Sequence, residues 1–257
     1  MNSIIDLSGK RGLIVGIANE HSIAAGCATL FQAAGAQLAV TYLNDKAEPY
    51  VRAVAETLHS PIVLPCDVSV PGQLEAVFAR IAQDWGRLDF LLHSIAFAPA
   101  GDLRANLIDC SAEGFALAMD VSSHSFLRMA RLALPLMSNG GSLMTMTFYG
   151  ADRAVEHYNV MGPVKAALEA SVRYLAVDLA PRRVHVHAIS AGAVKTRAAS
   201  GINHFDALLD EVRSHTPAQH LVTIEEIGRI ATVLASDAGM TLTGSVVYAD
   251  AGFHIVA

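Results

Sequence analysis

Short apolar runs alternate with stretches of helical spacing from one end of this chain to the other, and that alternation restricts the fold more than any other feature. Residues 12–16, 37–42, 61–65, 88–93, 142–147, 184–189 and 245–248 read as strands. Between them lie helical patterns. Residues 22–32 are small and apolar without proline. Leu74, Val77, Phe78, Ile81 and Trp85 recur at helical spacing after the start signals Ser69 and Pro71. Phe126, Met129, Ala130 and Ala133 mark a helix over 122–137, Leu168, Val172, Leu175 and Leu179 another, and 224–234 a last one. Such alternation predicts the α/β class: a single-domain, Rossmann-type doubly wound parallel sheet of seven strands, with helices on both faces, over residues 1–257. With 53% hydrophobic and 16% charged residues, the chain has the material for a well-filled core.

In a sheet of this kind ligands bind at the carboxyl ends of the strands. Gly16, Asp67, Ser94, Phe148 and Thr196 all follow strands and are expected to gather there. Gly16 opens a strand–turn–helix passage of the kind that holds a dinucleotide pyrophosphate, because glycine lets the backbone approach and the helix start offers free N–H groups. Its spacing is not Gly-x-Gly-x-x-Gly, so a plain βα turn is the competing reading. Ser22 either caps the following helix or donates to phosphate. Asp67 either accepts from an adenine amino group or caps a turn. The small residues after His93 leave room for a ribose or nicotinamide, and Thr196 is placed to bond a pyrophosphate or an amide. At the end of the second strand no Arg or Lys precedes Lys46, which favours NADH over NADPH.

Tyr158 and Lys165 stand seven positions apart at the start of a helical pattern. A phenol can bond a carbonyl as charge builds on it, and an ammonium can hold a cofactor hydroxyl. On a regular helix the two would share a side, roughly 10 Å apart along the axis. Pro163 between them means that the helix either begins near that residue or kinks there.

Other functions are disfavoured. A net charge of −6 argues against nucleic acid as a partner. No uninterrupted apolar run reaches the length of a membrane span, and the first residues lack a signal-peptide pattern, so a cytoplasmic location is expected. Cys27, Cys66 and Cys110 are too few and too widely spaced for a disulfide framework or zinc site. His185 and His187 share a strand face without a third ligand nearby in sequence, so no metal is assigned. Residues 197–220 fit either a mobile segment over a pocket or an ordinary surface helix.

Taken together, several motifs resemble those of the bacterial enoyl-acyl-carrier-protein reductases, a divergent branch of the short-chain dehydrogenase/reductases. They are Gly16 with Ser22-Ile23-Ala24, Cys66-Asp67-Val68, His93-Ser94-Ile95-Ala96-Phe97, Tyr158 with Met161-Gly162 and Lys165, Ala188-Ile189-Ser190-Ala191-Gly192, and the run from Arg197 to Ile202. The resemblance covers essentially the whole chain. It implies NADH-dependent reduction of the trans-2 double bond of an enoyl thioester on acyl carrier protein or CoA. Tyr158 would stabilise the enolate and Lys165 would hold the nicotinamide ribose. Gly16, Ser22, Ile23, Asp67, Val68, Ser94, Ile95, Lys165, Val194 and Thr196 would bind cofactor. Ala96, Phe97, Phe148, Tyr158, Met161 and Phe205 would face substrate. A homotetramer is implied, with a segment near 195–220 covering the substrate. The C2 proton would come from His157 or a solvated neighbour. The chain departs from the usual pattern at Phe148, where many members have tyrosine, at Ala193, in place of proline, and at Leu43, often polar. Carrier-protein docking would rest on Lys195, Arg197 and Arg213. A reductase of other carbonyls or alkenes, and a non-catalytic dinucleotide-binding relative, remain as alternatives.

Overall fold

The structure is a computed structural model that describes residues 5–194, 196 and 205–256. Seven strands form one sheet: β1 (Arg11–Val15), β2 (Gln37–Tyr42), β3 (Ile62–Pro65), β4 (Phe90–His93), β5 (Gly141–Thr147), β6 (Val184–Ala191) and β7 (Val246–Ala249). Their order is β3-β2-β1-β4-β5-β6-β7, and every pairing is parallel. This is the doubly wound sheet that the alternation predicts.

Side-chain alternation along the strands builds two cores. Ile14, Val40, Leu92 and Ile189 point to one face, where α1 (Ile23–Ala33), α2 (Glu48–Thr57) and α9 (Ile224–Ala235) cover them. Leu13, Val15, Leu91 and Val186 point to the other, covered by α3 (Gln73–Trp85), α6 (Ser125–Ala133) and α7 (Met161–Leu179). Most crossovers obey the right-handed rule. The β6–β7 connection steps in the same direction as β4–β5, yet its helix α9 lies on the α1 face, so it has the opposite hand. That placement packs α9 closely on α1, where Gly228 faces Gly26.

Three helical segments exceed the sequence reading: α2, the short α4 (Ala100–Arg104) and α5 (Ala112–Met119). The expected helix over 122–137 is not one regular element. A π-helical turn, Asp120–His124, joins α5 to α6, and a 3-10 turn, Leu134–Leu136, ends the run. Nor does Tyr158 lie on a regular helix. It sits in a turn, and α7 starts at Met161, which puts Pro163 in the first turn, where its missing N–H costs nothing. Among the described residues of 197–220, α8 (Phe205–His215) is an ordinary helix.

Candidate active site

Register brings the strand ends together. Val15 pairs with His93, His93 with Thr145 and Thr145 with Ala188. The next residues, Gly16, Ser94, Met146 and Ile189, therefore stand side by side at the carboxyl edge. Strand order reverses between β1 and β4, and there a cavity of about 530 Å³ opens. Gly16, Asp67, Val68, Ser94, Ile95, Ala96 and Phe97 all line it. So do Leu43, Asn44 and Lys46 from the tip of β2.

Gly16 has φ +113°, and a Cβ there would lie 2.1 Å from the Ser94 carbonyl oxygen. Only glycine permits this approach of β1 to β4. Ser22 occupies the N-cap of α1 but does not cap it: its hydroxyl donates to the Asn19 carbonyl at 2.7 Å. The helix start is thus left to another acceptor, which suits a pyrophosphate. Asp67 folds its own turn, since Oδ1 accepts from the Ser69 backbone N–H at 2.9 Å and from its hydroxyl at 2.6 Å. The capping reading of Asp67 holds, and the residue still lines the cavity.

Tyr158 and Lys165 converge on the end of β5. The Lys165 ammonium, only 4% exposed, donates to the Met146 carbonyl at 2.7 Å. Two positions further, the Phe148 ring packs against the Tyr158 ring at 4.9 Å. Tyr149 lies against Phe148 at 4.6 Å and against Phe253 at 5.1 Å. Gly150 makes room for the phenol ring, for a Cβ there would come within 2.6 Å of Tyr158 Cδ1. His157 and Asn159, on either side of Tyr158, both adopt left-handed backbone, at φ 64° and 43°. Asn159 is held by its Nδ2, which donates to the Leu103 carbonyl at 3.1 Å. Strained backbone of this kind persists where packing over-determines it, and it aims Tyr158.

Electrostatics follow from burial. Desolvation, then the charge of Glu169, pushes the Tyr158 phenol above its ordinary value, so it remains a hydrogen-bond donor. Desolvation pulls Lys165 down to about 8, against the attraction of Glu169. Beneath them His93 is wholly buried and held down to about 3, by desolvation first and the Lys165 charge second. Its tautomer can be worked out. Ser125 spends its hydroxyl proton on the Val121 carbonyl at 2.6 Å, so it accepts from His93 Nε2–H at 2.8 Å, and Thr145 donates to Nδ1 at 2.7 Å. This is a satisfied neutral histidine that fixes β4 against β5.

Sequence reasoning missed two contributors. In the π-helical turn, Ser122 accepts from the Phe97 N–H at 2.9 Å and donates to the Phe97 carbonyl at 3.0 Å, clasping the cavity rim. Glu169 is 9% exposed and accepts from the Thr147 hydroxyl at 2.7 Å. Its signal was present: four positions after Lys165, it shares the buried face of Leu168 and Val172.

Some expected residues lie apart from the cavity wall. Ile23 and Val194 pack against the core of the α1 face, and Met161 packs near Tyr158 in a separate small cluster. Lys195 and Arg197 fall outside the described residues, as does the Phe205 side chain. Arg213 pairs with Asp210 at 3.6 Å. His187 is buried, with Nδ1 3.2 Å from the Leu242 carbonyl. Cys27, Cys66 and Cys110 are free thiols. Among the described residues no cluster suited to a metal occurs, and no helix is long and apolar enough to cross a membrane.

A model of the enoyl-(acyl carrier protein) reductase family matches residues 16–254. The chain belongs to that family. The NADH-dependent enoyl-[acyl-carrier-protein] reductase FabI of Aquifex aeolicus is 45% identical over 251 residues, covering 97% of this chain and 93% of that protein. The corresponding enzyme of Escherichia coli K12 is 44% identical over 252 residues, 98% of this chain and 96% of its own. Among solved structures, the enoyl-acyl-carrier-protein reductase of Anaplasma phagocytophilum, in complex with NAD, superimposes with a TM-score of 0.94 at 42% identity, covering 100% of this chain and 97% of the other. Family membership thus extends over both the cavity and the Tyr158–Lys165 pair.

Proposed function

We propose that the protein reduces the trans-2 double bond of enoyl thioesters with NADH, acting on enoyl-acyl carrier protein in fatty acid synthesis. The observation that carries the reading is two parts at one sheet edge: a cavity at the switch point lined by Phe97, and buried Tyr158 and Lys165 on the end of β5, with Tyr158 in one cluster with Ala98. The cavity residues suit a dinucleotide. Gly16 and the uncapped start of α1, with Ser22 and Ile23, would take the pyrophosphate. Asp67 and Val68 would take the adenine side, and Ser94, Ile95, Val194 and Thr196 the nicotinamide half. NADH would supply the hydride for C3, and the enolate would take its C2 proton from a solvated neighbour or from His157.

The protein's part is orientation and charge. Tyr158 donates its phenolic proton in a hydrogen bond to the thioester carbonyl and stabilises the enolate oxygen. Its raised pKa keeps the donor intact over the working range. Lys165 holds the ribose and adds positive field. Ala96, Phe97, Phe148, Met161 and Phe205 shape the acyl side. The protein works as a cytoplasmic homotetramer, with a segment near 195–220 covering substrate bound as a carrier-protein or CoA thioester.

The test is NADH oxidation, followed optically, with a trans-2-enoyl thioester and in parallel a 3-ketoacyl thioester. Turnover of the enoyl substrate alone is expected. Turnover of the ketoacyl substrate alone would make the protein a carbonyl reductase on this fold. Tight NADH binding with neither turnover would make it a binding relative.

A further inference from the structure

We propose that Glu169 is a positioning residue of the reductase site, fixing the tip of β5 and the setting of Lys165. The proposal rests on the functional reading above only in calling the site a reductase. Its geometry stands alone. Lys165 and Glu169 lie one turn apart on the buried face of α7. They grip consecutive residues at the end of β5: Lys165 takes the Met146 carbonyl at 2.7 Å and Glu169 the Thr147 hydroxyl at 2.7 Å. The next residue is Phe148, whose ring packs on Tyr158. One buried ammonium and one buried carboxylate therefore lock the strand tip that supports the phenol.

A buried carboxylate without a task is costly, because desolvation favours its neutral form. Burial does raise the Glu169 pKa, opposed by the Thr147 hydrogen bond and by Arg173 and Lys165, while Asp152 adds to the rise. The groups facing this region are Lys165 and Arg173 on α7, Asp152 after β5, Tyr158 before α7, Tyr248 on β7 and neutral His93 on β4. Glu169 is the neighbour that raises the Lys165 pKa against its desolvation. Without it the ammonium would lose its proton at lower pH.

The experiment is NADH affinity, read by fluorescence from pH 6 to 9, together with kcat/KM, for wild type, Glu169→Gln and Glu169→Asp. Wild-type affinity should weaken as pH rises through about 8. In Glu169→Gln that limb should begin about one pH unit lower, giving about fivefold weaker binding and kcat/KM at pH 8 and near-wild-type values at pH 6. Glu169→Asp keeps the charge and should restore the limb. An unshifted limb in Glu169→Gln, or a loss equal at every pH, overturns the proposal. Should Glu169→Gln not fold, Thr147→Val removes the 2.7 Å bond. A shifted limb there supports the proposal, and wild-type behaviour overturns it. Wild type that binds NADH with this limb but turns over no enoyl thioester would sink the functional reading, while the binding titration still decides Glu169.

Discussion

The Phe148 ring lies 4.9 Å from the Tyr158 ring, tilted 58° against it. The phenol is thus held by its ring, through Phe148 and through the space above Gly150, and its hydroxyl is left for substrate. Tyr158→Phe keeps those ring contacts and removes only the donor. Enoyl turnover should fall about 10²–10³-fold, the usual cost of one oxyanion donor. NADH affinity and melting temperature should stay near wild type. A variant that turns over normally would show that the donor to the thioester carbonyl lies elsewhere.

Gly16→Ala tests the cofactor half of the site. Alanine would meet both a φ of +113° and the Ser94 carbonyl oxygen at 2.1 Å. Relief requires β1 and β4 to part where the cavity opens. Stability should drop by about 1–3 kcal/mol, and NADH affinity should fall with it, as read by denaturant unfolding and titration. A stable variant with wild-type affinity would mean that the turn does not touch the dinucleotide.

The parallel doubly wound sheet, its seven strands and the helices on both faces were legible in the sequence because short apolar runs and 3.6-period patterns alternate along the chain. The α2 helix was not, since its buried stripe is only Val51, Val54 and Ala55 among charged neighbours. The π-helical turn at Asp120–His124 leaves no periodic trace, because one inserted residue merely shifts the phase of a helical pattern. Pro163 signalled correctly that α7 begins close to it, and the helical distance argued for Tyr158 and Lys165 fails for that reason. Each instead rests on the end of β5, Lys165 on the Met146 carbonyl and Tyr158 on the Phe148 ring, contacts that the spacing of the two residues cannot reveal. Glu169 could be placed on the buried face with Leu168 and Val172, but its partner Thr147, 22 positions away, could not be read from spacing.

Lys165 links activity and stability with opposite signs. Its folded pKa is held down to about 8, whereas an unfolded lysine titrates near about 10.4. Above about pH 8 the native ammonium is lost, so kcat/KM for NADH should fall as pH rises, a limb missing from Lys165→Met. Between about pH 8 and 10.4 the unfolded chain binds the extra proton, so this residue should add roughly 3 kcal/mol of stability over the same interval. Rate profiles and urea unfolding at matched pH check both. Burial raises the Cys27 and Cys66 thiols to about 12 and about 11, which lowers stability over part of the same interval. The check is therefore wild type against Lys165→Met, and equal slopes in the two would contradict the assignment.

Two buried histidines set the acid limit. His93 is held down to about 3, chiefly by desolvation, and His187, also desolvated, to about 4. In the unfolded chain both protonate near about pH 6.5. Below that pH the unfolded state therefore binds more protons than the native state, and stability must fall as pH falls. Each ring should contribute about 1.4 kcal/mol per pH unit below about pH 6, down to its folded value. Asp102 and Glu226, whose carboxyls are lowered by hydrogen bonds, act only nearer the unfolded carboxylate range of about 4. From pH 6 to 4.5 His93 and His187 act together with His185, also lowered by desolvation, while Glu169, raised by burial, acts in the opposite sense. In His187→Asn, whose amide can still donate to the Leu242 carbonyl, the slope of unfolding free energy across that interval should drop by about 1.4 kcal/mol per pH unit. An unchanged slope would mean that His187 is already protonated in the native state, against its burial and its unpartnered Nε2.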